Sequence, residues 1–167
     1  MIKTLNSLFV TIFGLGKIKY MPGTFGSLAS TIILYYLFHV LDISTNFILI
    51  GLIITFVYSF YAVSSHIENS KNKDPGEIVI DEFLGQSIPI YLYEISHGVT
   101  KNDGESIIYY LLFFILFRYF DIMKPFPVSF FDKNFKNSFG VIMDDICAGF
   151  CVVLTLVCFM IIKSYVL

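Results

Sequence analysis

Charged side chains are scarce in this sequence. Asp, Glu, Lys and Arg make up 14% of its 167 residues, against roughly 25% in typical globular proteins, while 56% are hydrophobic. The mean hydropathy is +0.77. The length fits one domain spanning residues 1–167, and a net charge of −2 without a basic patch excludes a nucleic-acid partner. This composition indicates a membrane protein; the alternative is a small helical protein with an unusually apolar surface.

Several familiar catalytic and redox signatures are also missing. The three cysteines lie in the last apolar run without CxxC spacing, which indicates reduced apolar fillers. The three histidines are scattered, so neither a His-based metal centre nor a histidine-dependent lipid phosphatase is expected. There is no DxDxT motif, no Cys-x5-Arg loop and no Walker-type phosphate loop. The enzyme classes that depend on these motifs are therefore excluded.

Long apolar runs predict an all-α fold. Residues 43–67 contain no Lys, Arg, Asp or Glu, and this run exceeds the about 20 residues needed to span a bilayer. Gly85 and Pro89 interrupt residues 83–93, which we predict to form a broken or half-depth helix. Asp74-Pro75-Gly76-Glu77 resembles a helix start, and residues 94–105 a polar loop. We expect a compact multi-helix membrane-associated bundle with several transmembrane or half-spanning helices.

The few charged or glycine-rich polar segments lie at the ends of the apolar runs. They comprise residues 22–27, 74–82, 118–124 and 144–145. Two apolar runs separate the first segment from the second, and two separate the second from the third. The third and fourth are joined by an amphipathic stretch suited to the water–lipid boundary. If every run crosses or turns back, all four segments emerge on one face.

The carboxylates of these segments predict a cation site. Carboxylates gathered in one place repel each other, and oxygen ligands without His or Cys favour Mg²⁺ or Mn²⁺ over Zn²⁺. The expected metal ligands are Glu77, Asp81, Glu82, Asp121 and Asp145. Structural alternatives remain open: Glu77 as a capping-box residue, Asp144 as a helix cap, and Asp121 as the ion-pair partner of Arg118.

Basic and hydroxyl side chains in the same segments predict phosphate binding. Arg118 offers a bidentate guanidinium and Lys124 a point charge. The turn containing Gly23, Thr24 and Ser27 would expose backbone N–H groups at a helix start, with Thr24 or Ser27 as its N-cap. The alternatives are a plain capped turn and a Lys124 that snorkels to lipid headgroups. Metal, carboxylates and basic groups together are the equipment of phosphoryl transfer.

Four motifs in order resemble the bacterial phosphatidylglycerophosphatase A family: PGTFGS at 22–27, DPGEIVIDEFLG at 74–85, FRYFDIMKPFP at 117–127 and GVIMDDICAG at 140–149. The resemblance implies an all-helical, Mg²⁺-dependent enzyme that converts phosphatidylglycerophosphate to phosphatidylglycerol and phosphate. It also implies a multi-pass protein of the bacterial inner (cytoplasmic) membrane with its active site on the cytoplasmic face. The acidic positions of the family, expected to be catalytic, fall on Asp81, Glu82, Asp121, Asp144 and Asp145.

Our leading hypothesis is therefore a lipid phosphatase. Whether water attacks directly or an aspartyl-phosphate forms stays open, as does assembly into a homo-oligomer. One alternative is a small ion-coupled transporter or channel subunit, but it would need carboxylates near mid-bilayer rather than at the ends of apolar runs. The other is a non-catalytic membrane interaction module, which would not bind Mg²⁺.

Overall fold

The computed structural model describes residues 2–68, 76–97 and 103–166. Within these ranges the chain is all helical and contains no strand, which confirms the predicted all-α class. A π-helical turn, Tyr36–Val40, extends the second helix. The described residues form seven α-helices: α1 (Ile2–Val10), α2 (Pro22–Tyr35), α3 (Thr45–Ile67), α4 (Ile80–His97), α5 (Asp103–Met123), α6 (Val128–Asn134) and α7 (Ser138–Val166).

Helix α4 is the centre of the bundle, packed against α2, α3, α5 and α7. It is one continuous helix, so the prediction of a broken helix at 83–93 was wrong. Pro89 leaves the carbonyl of Gly85 without its helical donor, and that carbonyl faces the backbone of Gly149 instead. Neighbouring helices allow such prolines in membrane helices.

The first turn of α4 lies later than the sequence suggested. The helix begins at Ile80, because the Val79 N–H donates to the Val10 carbonyl at 2.9 Å while the Val79 carbonyl accepts from Phe83. Asp74 and Pro75, the predicted cap, lie outside the described residues. At its other end α4 extends to His97, into the segment predicted as a polar loop.

Two glycines bring α4 and α7 into backbone contact. A Cβ on Gly85 would collide with the carbonyl oxygen of Asp145, and a Cβ on Gly149 would collide with the carbonyl oxygen of Gly85. Small residues allow helices in apolar surroundings to approach this closely. Because Glu82 lies within a turn of this crossing and Asp145 forms part of it, the crossing sets how near their side chains come.

Among the described residues, four helical segments are long and apolar enough to cross a membrane: Pro22–Val40, Thr45–Ile67, Gly104–Met123 and Ser138–Tyr165. Their outward faces carry large apolar side chains in contact with the surroundings, such as Ile54 and Val57 on α3. Exposed apolar surface of this extent marks a membrane-facing protein. Helix α4 is not one of the four, and they surround it.

The far end of α4 carries a second polar group. Glu94 is 2% exposed; it accepts a hydrogen bond from the Tyr110 hydroxyl at 3.1 Å and lies 3.0 Å from Nε2 of His39. The central helix therefore carries buried carboxylates near both ends, with Ile90 and other apolar residues between them. Asp81 and Glu94 are thus shielded from the surroundings by the outer helices.

The glycine crossing can be tested by adding one methyl group. Gly149→Ala should lower the midpoint of thermal unfolding in detergent, because overpacking against a rigid backbone costs about 1–3 kcal/mol. Gly51→Ala is the matched control, since nothing lies within 4 Å of a Cβ there. Ala is the better helix former by about 1 kcal/mol, so this control should be neutral or stabilised. Equal midpoints for the two variants would contradict the close crossing.

Candidate active site

All four polar segments meet around one cavity of about 280 Å³. Helices α2, α4 and α7 begin beside it, and α5 ends there. The convergence expected from counting apolar runs is therefore present. The predicted site residues that line the cavity are Gly23, Asp81, Glu82, Arg118, Asp121, Lys124, Asp144 and Asp145.

Three carboxylates form the densest part of the site. Oxygens of Asp81, Glu82 and Asp145 all lie within 4.8 Å of one another. Asp81 and Asp145 are 6% and 4% exposed. Among the described residues, no donor reaches Oε2 of Glu82 or Oδ1 of Asp145, although both atoms are buried. Buried carboxylate oxygens without donors are costly, so this cluster is suited to a bound cation.

The pKa values of Asp81 and Glu82 on α4 reflect the cost of burying these carboxylates. Burial, together with the charge of Glu82, raises the pKa of Asp81 well above its usual range. Burial also raises the pKa of Glu82 to about 7, with a contribution from the charge of Asp121. Without a counter-ion these side chains favour protons. A hard divalent cation such as Mg²⁺ would offset the repulsion, and the oxygen-only donor set suits it.

Arg118 lies at the C-terminal end of α5, beside the cluster. Its Nη1 forms an ion pair with Oδ2 of Asp121, three residues on, as one of the structural alternatives predicted. A donor remains, because the buried Nε of Arg118 has no acceptor among the described residues. Asp121 therefore orients the guanidinium and leaves part of it available to an anion in the cavity.

Lys124 joins three structural elements. Its Nζ lies 2.7 Å from Oδ1 of Asp132 on α6 and 2.8 Å from Oδ2 of Asp144 on α7. Burial alone would lower the pKa of Lys124, but its two carboxylate partners outweigh burial and the pKa is raised. An ammonium has three donors, so one remains beyond these two bonds. Sequence analysis missed Asp132, because an acid between lysines and phenylalanines resembles an ordinary solvated face.

The turn at the start of α2 contributes less than predicted. The N-cap is Met21, followed by Pro22 at the first helical position, so neither Thr24 nor Ser27 caps the helix. Ser27 is buried and its hydroxyl donates to the Gly23 carbonyl at 2.9 Å. Of the three residues predicted here, only Gly23 lines the cavity. A Cβ at Gly23 would collide with Oε1 of Glu82, which explains why this position suits glycine.

Glu77, a predicted metal ligand, lies outside the carboxylate cluster. Its Oε1 is 2.9 Å from Nε2 of His66, and its side chain is 40% exposed. Because α4 begins only at Ile80, Glu77 precedes the helix and does not share a helical face with Asp81.

Comparison with known proteins agrees with this geometry. The family model described as "PgpA: Phosphatidylglycerophosphatase A" matches residues 8–160. The chain belongs to this family. It is therefore a phosphatase, and the phosphatidylglycerophosphatase A match covers every residue of the candidate site. No solved structure matches the chain.

Three relatives are similar over most of their length. A Haemophilus influenzae phosphatidylglycerophosphatase A is 36% identical, over 82% of this chain and 77% of that protein. A Bacteroides thetaiotaomicron protein named "Putative phosphatidylinositol-3-phosphatase" is 34% identical over 85% of both chains. The Escherichia coli phosphatidylglycerophosphatase A is 32% identical over 82% of this chain and 73% of that protein. The names agree on a lipid phosphomonoester and differ in the headgroup.

The two hydrogen bonds that Lys124 donates to Asp132 and Asp144 are expected to stabilise the region around the site. Lys124→Met should lower stability by about 2 kcal/mol, because it removes two hydrogen bonds to charged groups and leaves Asp144 without its cation. Lys133→Met on the exposed face of α6 is the control and should lie within about 0.5 kcal/mol of wild type. Thermal unfolding in detergent measures both. A Lys124→Met protein as stable as the control would rule out a structural role for these two hydrogen bonds.

Proposed function

We propose that the protein is a Mg²⁺-dependent lipid phosphatase that hydrolyses the phosphomonoester of phosphatidylglycerophosphate to phosphatidylglycerol and phosphate. The observation that carries the proposal is the buried cluster of Asp81, Glu82 and Asp145 beside a partly unpaired Arg118. Family membership supplies the reaction class. The carboxylates and basic side chains that line the cavity supply the chemistry that this reaction needs.

Mg²⁺ would be held by Asp81, Glu82 and Asp145, and Asp121 is the other predicted ligand that lines the cavity. Oε2 of Glu82 and Oδ1 of Asp145 accept no hydrogen bond from the described residues, which supports this assignment. When bound, the ion lowers the pKa of a coordinated water and offsets charge on the phosphoryl oxygens. Glu77 is no longer part of the proposed ligand set, since it contacts His66 instead.

The phosphate would be held by side chains that line the cavity. Arg118 offers its remaining guanidinium donors, oriented by Asp121. Lys124 offers its third N–H, and the N-terminus of α2 at Gly23 adds the positive end of a helix dipole. These groups would position the phosphoryl group and stabilise charge on its oxygens in the transition state.

A proton acceptor for the attacking water is also present. Asp121 and Asp144 line the cavity outside the three-carboxylate cluster. In this proposal one of them accepts the proton as water attacks phosphorus. The leaving group is the alkoxide of the glycerol headgroup, which takes up a proton from the site or from solvent.

The four apolar segments would span the bacterial inner membrane, and the site would open at its cytoplasmic face. Two features support a site at the lipid–water boundary. The cavity lies at the ends of the apolar helices rather than half-way along them. The connecting segment beside it carries the exposed aromatic side chains of Phe126 and Phe130 next to exposed Lys133 and Lys136. This placement and the family match do not favour the transporter alternative.

Phosphate release from purified protein tests the proposal. Wild type should hydrolyse phosphatidylglycerophosphate in mixed micelles with Mg²⁺ and lose activity in EDTA. Asp145→Asn should lower kcat on the order of 10²-fold or more, because it removes a ligand charge. The protein should stay folded, since Oδ1 of Asp145 accepts no hydrogen bond from the described residues. Glu77→Gln is the matched control and should stay near wild type.

Two outcomes would contradict this assignment. Full activity of Asp145→Asn would remove the carboxylate cluster from the mechanism. Faster hydrolysis of phosphatidylinositol 3-phosphate than of phosphatidylglycerophosphate would assign the enzyme to the headgroup that the Bacteroides thetaiotaomicron relative is named for.

A further inference from the structure

A second cavity lies on the side of the bundle, and no charged residue lines it. It has a volume of about 240 Å³ and is bounded by α3, α4 and α7. Its walls include Ile53, Phe56, Leu84, Ile88 and Phe150. Only two of its lining residues, Ser87 and Tyr91, have a polar side chain, and the Ser87 hydroxyl already donates to the Leu84 carbonyl at 2.6 Å. We call this cavity the lateral groove.

The lateral groove begins within one helical turn of the candidate active site on both α4 and α7. On α4, Asp81, Leu84 and Ile88 are spaced by three and four residues, so they share one helical face. The groove therefore begins one turn beyond Asp81. On α7 its lining residue Ile146 directly follows Asp145. The apolar groove thus extends along α4 from the end of the bundle that carries the carboxylate cluster towards the opposite end.

The dimensions of the lateral groove restrict what it can hold. Its lining on α4 runs from Leu84 to Leu92, which is about 12 Å at 1.5 Å per residue. The groove is therefore an apolar slot along one face of α4, which matches the shape and chemistry of an extended hydrocarbon chain.

The groove also opens where lipid would be. Ile53 and Phe150, on its two outer walls, are each 51% exposed. Both belong to segments apolar enough to cross a membrane. A hydrocarbon chain could pass directly from the bilayer into the groove between α3 and α7, and it would need no hydrogen bond from the protein.

We propose that the lateral groove binds one acyl chain of the phospholipid whose phosphomonoester is hydrolysed at the carboxylate cluster. This inference rests on the proposed function and adds a binding site to it. Anchoring one chain beside Asp81 would fix the depth and direction of the headgroup, so that the phosphate lies over the cavity. The enzyme would then select substrates by their chains as well as by their phosphate.

Filling the groove tests this inference. Ile53→Trp adds bulk to the groove wall. Ile54→Trp, the next residue on α3, is 63% exposed and does not line the groove, so it is the matched control. Full-length protein in mixed micelles is assayed for phosphate release from long-chain phosphatidylglycerophosphate. The same variants are assayed on a water-soluble analogue whose acyl chains are too short to reach the groove.

We expect Ile53→Trp to raise KM for the long-chain lipid about tenfold, the effect of two methylene groups losing their burial. Its kcat/KM on the short-chain analogue should stay within about twofold of wild type, and Ile54→Trp should resemble wild type on both substrates. Phe150→Trp, on the opposite wall, is a second filler and should repeat the pattern. Thermal unfolding of each variant identifies any loss that is due to misfolding.

Two results would overturn the acyl-chain assignment. One is equal KM values for Ile53→Trp and Ile54→Trp on the long-chain lipid. The other is a loss of activity in Ile53→Trp that follows a change in oligomeric state, which would make the groove an interface between copies. Failure of the proposed function is a separate result, because wild type itself would then release no phosphate from either substrate.

Discussion

Mutual repulsion among buried carboxylates is the constraint on which this structure depends. Asp81, Glu82 and Asp145 are held together by the crossing of α4 and α7, where the backbones touch at Gly85 and Gly149. The apolar packing of the outer helices stabilises that crossing, while the anions oppose it. Protonation can relieve the repulsion in part, as the raised pKa of Glu82 indicates. A divalent cation would offset two of the three negative charges and would leave every carboxylate oxygen an acceptor.

The arrangement of polar residues follows from the same constraint. A helix with carboxylates at both ends is unsuited to face lipid, and α4 is enclosed by the four apolar segments instead. The cations of the site are likewise tied to carboxylates, Arg118 to Asp121 and Lys124 to Asp132 and Asp144. The Lys124 bonds join the end of α5 to α6 and α7, whereas the Arg118–Asp121 pair lies within α5. Ion pairs therefore position the cations of the site, and helix packing positions the carboxylate cluster.

Much of this arrangement could be predicted from sequence, because long apolar runs leave few ways to place their polar ends. Counting runs was enough to bring Gly23, Glu82, Arg118 and Asp145 to one end of the bundle. Local details could not be predicted, because tertiary contacts decide them. The hydrogen bond from Val79 to Val10 delays the start of α4 and separates Glu77 from the cluster.

The remaining differences have the same origin. Pro89 ends a helix by local rules, yet α4 continues past it, because the Gly85 carbonyl that loses its donor lies against Gly149 on another helix. Asp132 resembles a solvated residue in sequence, but in the structure α6 places it against Lys124. Ser27 resembles a phosphate-binding cap in sequence. The helix begins earlier, at Pro22, and the Ser27 hydroxyl donates to the Gly23 carbonyl instead.

Helix α4 also explains how a charged reaction can take place beside lipid. Asp81 and Glu82 are adjacent in sequence, so their side chains leave the helix about 100° apart. Glu82 meets Gly23 on α2, whereas the face of Asp81 continues into Leu84 and Ile88 beside α3 and α7. One turn of helix thus borders both a polar cavity and an apolar groove. A molecule with a phosphate at one end and a hydrocarbon chain at the other matches both surfaces at once, whereas free phosphate or a simple hydrocarbon matches only one.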